Sequence, residues 1–163
     1  MATKSIASSL TPFLFCLAMV LPIVVKSQDT LRIIPCDNPA IQRQADSLKQ
    51  LYERKGFVAV KESSVTMESQ YEIPVIVPLK AGTWYEIIFI GEQSSRIYEA
   101  RMFDWNEKQV VYQKKMWGDV DGNIIDFSYI PNFTEYYMIK FVQTNKKKKK
   151  DLCGHLMLLK KTQ

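Results

Sequence analysis

The chain has 163 residues, 22 of them Lys or Arg and 17 Asp or Glu, for a formal net charge of +5. That length suits one domain, and five of the cations stand in one block, Lys146, Lys147, Lys148, Lys149 and Lys150. Nucleic-acid binding calls for basic residues spread over a face and interleaved with aromatics, so this distribution excludes it.

The first element is an export signal. One cation, Lys4, and no acid precede an apolar run from Phe13 to Val25 that only Pro22 interrupts, which is the layout of a cleavable signal peptide. The run has 13 residues, short of the roughly 20 that a spanning helix needs, so the mature form carries no transmembrane anchor. Val25 and Ser27 place cleavage before Gln28, giving a signal peptide over 1–27, an N-terminal extension over 28–36 and a domain over 37–163. Leu14 and Phe15 before Cys16 do not form a lipobox, which wants a small residue there. The mature chain then has 20 basic and 17 acidic side chains, +3, and without the lysine block it is −2.

Export leaves two cysteines, Cys36 and Cys153, in a compartment where disulfides persist. They are expected to pair. The alternative is two separate buried thiols, and no CxxC or Cys/His spacing supports a metal or redox site.

A helix follows. Asn38 suits its N-cap, Pro39 its first turn and Gly56 its stop, with Arg54 and Lys55 complementing the dipole of the last turn. Ile41, Ala45, Leu48, Leu51 and Tyr52 recur at spacings of three and four, forming an apolar stripe that must pack against something larger.

After Gly56 the period becomes two. Eight β-rich runs follow, approximately 57–67, 71–79, 83–91, 96–104, 109–116, 123–129, 135–143 and 152–160, separated by breakers such as Ala81-Gly82 and Pro131-Asn132. Short strands at this spacing predict a mainly β fold, an antiparallel β-sandwich with one N-terminal helix packed on it. In the second run Pro74 and Pro78 remove ladder donors on one side, which predicts a sheet edge. The third, Trp84 to Ile90, is apolar on both faces except at Glu86, which predicts a central strand with the helix as its lid and Trp84 in the core.

The segments Leu79-Lys80-Ala81-Gly82-Thr83-Trp84-Tyr85, Phe89-Ile90-Gly91 and Met102-Phe103-Asp104 resemble bacterial pre-peptidase C-terminal-like domains over about residues 71–143. The resemblance implies a jelly-roll accessory domain with a binding or folding role and no catalysis. It transfers no functional residue to this chain.

Candidate sites come from four patterns. Trp105 and Trp117 flank the fifth run and Tyr112 lies within it. Exposed together they would form a platform for a cell-surface glycan or another exported protein; the alternative is that they cap the ends of the core. The block Lys146 to Lys150 reads either as a solvated hairpin tip or as a weak site for anionic glycans or lipid phosphates. Asp119, Asp121 and Asn123 in an acidic turn are a calcium candidate, although Asp-Gly and Gly-Asn are also ordinary hairpin residues. Asn132-Phe133-Thr134 has the form of an N-glycosylation acceptor.

No nucleophile elbow, zinc-protease helix or phosphate loop is present. The chain's one histidine, His155, alternates with Cys153 and Met157 and reads as a half-buried strand residue. Glu86, an acid on a central strand, must be paired or perturbed. Three function classes stand: an exported non-enzymatic binding or accessory module without cofactor, a structural envelope protein, and a small hydrolase in which Glu86, Asp119 or Asp121 converge. The first leads, in the periplasm, at the cell surface or outside the cell.

Overall fold

The computed structural model describes residues 34–116 and 122–162. The signal-peptide segment, Trp117, Asp119 and Asp121 lie outside the described residues.

Helix α1 spans Pro39–Arg54. The Asn38 side chain accepts from the Ala40 and Ile41 N–H groups at 3.1 and 3.3 Å, satisfying donors that have no partner within the helix. Beyond the helix, Gly56 turns the chain at φ +78°. Ile41 and Ala45 are buried, Leu48 and Tyr52 pack beside them, and Leu51 is exposed. Leu51 corrects the expected stripe: at 100° per residue it stands about 90° off the axis of Ile41, Ala45, Leu48 and Tyr52, beyond the helix's contact with the sheet.

Eight antiparallel strands follow: β1 Phe57–Met67, β2 Ile73–Leu79, β3 Tyr85–Gly91, β4 Ser95–Phe103, β5 Gln109–Met116, β6 Ile124–Tyr129, β7 Glu135–Asn145 and β8 Leu152–Lys161. They make two four-stranded sheets, ordered β1-β8-β3-β6 and β2-β7-β4-β5. The pairs β1 with β8, β2 with β7, β3 with β6 and β4 with β5 are nested, so the chain is one long hairpin wrapped over itself. That is the jelly-roll form of the sandwich.

β2 is an edge strand and pairs only with β7, as Pro74 and Pro78 require. β3 is central and buried along its whole length. Ile87 and Phe89 point into the sandwich, where Phe89 stacks on Phe141 at 4.7 Å between centroids. Ile88 and Ile90 point the other way, beneath Ile41 and Ala45 of α1. The first sheet is therefore covered on both faces. The second has its outer face open.

Cys36 is disulfide-bonded to Cys153, with Cα atoms 5.6 Å apart. The extension ahead of α1 is also held to β1, where the Thr66 N–H donates to the Ile34 carbonyl at 2.7 Å. No helix among the described residues is long and apolar enough to cross a membrane.

Candidate functional site

Strand alternation decides what the open face of the second sheet displays. On β7, Tyr137, Ile139 and Phe141 enter the core, so Tyr136, Met138 and Lys140 face outward. On β2, Val75, Val77 and Leu79 enter, leaving Pro74, Ile76 and Pro78 outside. On β4, Tyr98, Ala100 and Met102 enter, leaving Glu99, Arg101 and Phe103.

Register sorts these outward residues into two zones. Pro78 lies opposite Tyr136, Ile76 opposite Met138, and Phe103 opposite Met138. This apolar zone continues into the β4–β5 turn, where Trp105 stands 70% exposed beside Tyr136, itself 55% exposed, with ring centroids 6.4 Å apart. The turn is rigid because the Asp104 carboxylate accepts from the Asn106 and Lys108 N–H groups, both at 2.9 Å. Ile76, Asp104, Trp105, Glu107, Tyr136 and Met138 line a groove of about 260 Å³. It offers two aromatic faces and two carboxylates.

The second zone is ionic. Arg101 bonds Glu72 at 2.9 Å and Glu99 at 2.7 Å, Lys140 bonds Glu72 at 2.9 Å, and Lys114 reaches Glu99 at 3.3 Å. Burial pushes the Glu99 carboxyl up, but hydrogen bonds and charge from Arg101 and Lys114 outweigh it and hold the group below its ordinary range. Each cation here has a carboxylate. Tyr112 belongs to this zone, with the Arg101 guanidinium 6.0 Å from its ring centroid.

The partner of Trp105 is thus Tyr136, and Tyr112 lies three residues along β5 from the turn, about 10 Å away. Tyr136 escaped the sequence reading, yet two signals were present: its alternation against buried Tyr137, and an edge strand, β2, apolar on both faces. Trp84, expected in the core, is instead 43% exposed. β3 begins one residue later, at Tyr85, and the indole packs edge-on against Phe57 beyond the end of the helix.

The lysine block sits on the loop that carries the chain from β7 in the second sheet to β8 in the first, at the opposite end of β7 from Tyr136; the two strands do not pair, which corrects the expected hairpin tip to a crossover between sheets. Nine strand residues, 137–145, separate the block from Tyr136, about 30 Å. Lys146, Lys147, Lys148 and Lys150 are exposed, while Lys149 bonds Glu92 at 3.1 Å. The Asn123 side chain is committed elsewhere: it donates to the Gly91 carbonyl at 2.5 Å and exchanges hydrogen bonds with Gln44 at 3.0 and 3.1 Å, tying α1 to β3. Among the described residues no group of three or more His, Cys, Asp or Glu could hold a metal.

Glu86 is buried and paired, accepting from Tyr52 Oη at 3.1 Å and Ser128 Oγ at 2.6 Å. One carboxylate oxygen thus ties the first sheet to α1 through Tyr52, and the other ties β3 to β6 through Ser128. His155 is buried on the same side, with Nδ1 3.2 Å from Ser64 Oγ and, among the described residues, no partner for Nε2. Burial lowers its pKa, with Glu62 and Asp46 pulling the other way.

No protein-family model matches the chain, so nothing there confirms the pre-peptidase resemblance. No curated protein sequence matches it either. Among solved structures it is similar to AlgX of Pseudomonas aeruginosa, at TM-score 0.45 and 9% identity over 64% of this chain and 27% of that one. It is also similar to CBM4, at TM-score 0.40 and 12% identity over 66% of this chain and 79% of that one. TmCBM61 in complex with β-1,4-galactotriose follows at TM-score 0.35 and 13% identity, over 67% of this chain and 85% of that one. The chain spans about a quarter of the AlgX chain it matches.

Proposed function

We propose that the protein is an exported, non-catalytic module that binds a glycan chain on the open face of its second sheet, with Trp105 and Tyr136 as the stacking pair. The observation that carries this is the exposed pair itself, two rings 6.4 Å apart on a rigid turn and an uncovered strand. A sugar ring presents an apolar C–H face that stacks on aromatic side chains and a rim of hydroxyls that donate to carboxylates. Asp104 and Glu107 border the same groove. Export is supported by the Cys36–Cys153 disulfide, which persists in an oxidising compartment.

The decisive experiment is glycan-array binding of the mature protein, followed by calorimetry on the best oligosaccharide with Trp105→Ala and Tyr136→Ala. Each substitution is expected to weaken binding about tenfold, the equivalent of ~1.4 kcal/mol. Tyr112→Ala is expected to change it little. Retained affinity in both aromatic variants, or a silent array, would count against this reading.

A further inference from the structure

A second cavity, of about 470 Å³, lies where the first sheet ends, and its wall has a different chemistry. Lys80 comes from the turn after β2, Lys160 and Lys161 from the last two positions of β8, and the Trp84 indole from the approach to β3. Gly82 and Thr83 complete the turn; the Gly82 N–H donates to the Pro131 carbonyl at 2.9 Å and the Thr83 N–H to the Lys80 carbonyl at 3.2 Å. Among the described residues no Asp or Glu lines the cavity.

The site is held in place from behind. The Lys161 N–H donates to the Trp84 carbonyl at 2.8 Å, and the Lys161 ammonium donates to the Lys55 carbonyl while lying 5.0 Å from the Phe57 ring and 5.9 Å from the indole. With Phe57 edge-on against it at 5.6 Å, the indole is fixed on one side and exposed on the other. Among the described residues Lys80 and Lys160 have no carboxylate partner, whereas Arg101, Lys114 and Lys140 across the molecule each have one. Lys160 is moreover half-buried. Uncompensated ammonium groups beside an immobilised aromatic face favour a ligand that brings its own negative charge and a flat apolar side.

We infer that this cavity is an anion-selective sugar site, taking a carboxylated sugar residue of the hexuronate class with its ring on Trp84 and its carboxylate between Lys80 and Lys160. This inference does not depend on the Trp105–Tyr136 face. The two sites differ in charge and draw on different residues.

The test is calorimetry of the mature protein with trigalacturonate, with the neutral galactose trimer and with sodium sulfate, at low and high salt. The acidic trimer is expected to bind at least tenfold tighter than the neutral one, and to weaken as salt rises. The double variant Lys80→Ala/Lys160→Ala and the single variant Trp84→Ala should each lose at least tenfold, while Trp105→Ala and a variant with Lys146 to Lys150 all changed to Gln should bind as before. Equal affinity for the two trimers, or retained affinity in the double variant, would overturn the site. Loss on changing the lysine block would move the binding to the β7–β8 loop and overturn it as well, and sulfate binding as tightly as the trimer would show a simple anion site in place of a sugar site. Thermal melts of every variant separate lost binding from lost folding.

Discussion

Gly91 closes β3 against the ring of Tyr98. A Cβ at that position would stand 2.5 and 2.6 Å from two ring carbons, and the ring is held, because it is 1% exposed and its hydroxyl is shared between the Glu92 and Ser95 carbonyls at 2.8 and 3.0 Å. Gly91→Ala is therefore expected to destabilise the fold by about 1 to 3 kcal/mol through overpacking, seen as a lower urea midpoint at unchanged slope. The neighbouring Glu92 carboxylate accepts from Ser94 Oγ at 2.7 Å, the Cys153 N–H at 3.0 Å and Lys149 Nζ at 3.1 Å. Burial pushes its pKa up, but these three donors together bring it below the ordinary value of 4.5. A depressed carboxylate stabilises the fold above its unfolded pKa, and that stabilisation is lost as pH falls through the folded one. Glu92→Gln should flatten the pH dependence of the denaturation midpoint below about pH 4.5; an acid limb as steep as the parent's would assign it to other carboxylates.

At the level of elements, what was legible in the sequence is what alternation and breakers encode. Pro74 and Pro78 identified an edge, the doubly apolar run around Phe89 identified the central strand, and Asn38 with Gly56 framed the helix. What stayed hidden depends on register between distant strands. Nothing local brings Tyr136 opposite Pro78 and beside Trp105, and nothing local says that the helix ends short of Trp84. The contact of α1 with the first sheet carries its own expectation, because the chain's one histidine lies within it. Facing His155 are Ser64 and Glu62 from β1 and Asp46 and Lys49 from α1, and Lys49 and Glu62 bond each other at 2.6 Å. A histidine whose folded pKa is depressed favours the neutral ring in the fold, so its stabilisation is complete above the unfolded value near 6.5 and declines as pH falls below it. The urea midpoint is expected to fall between pH 7.5 and 5.5 in the parent and to stay level in His155→Leu. An equal fall in that variant would place the titration elsewhere.

Over the whole molecule, the nested pairs place both termini of the domain in one sheet, β1 at its edge and β8 beside it, with most pairing between residues far apart in sequence. A fold so dependent on closing long loops gains most from a covalent tie across them. The Cys36–Cys153 bond spans 117 positions, and it joins the extension before α1 to a strand at the centre of the first sheet. In the chain-entropy account a loop of that length removes about 5 kcal/mol of freedom from the unfolded chain. Cys36→Ser/Cys153→Ser should therefore lower the unfolding free energy by about 4 to 5 kcal/mol, a large part of what a single domain has. Cys36→Ser alone should lose nearly as much, since Cys153 is buried among Ile88, Ile90 and Met157 and still packs there as a thiol. Urea titrations of the parent with and without reductant, beside both variants, check this. A reduced parent that unfolds at the oxidised midpoint would show that strand pairing and the two cores hold the fold without the staple.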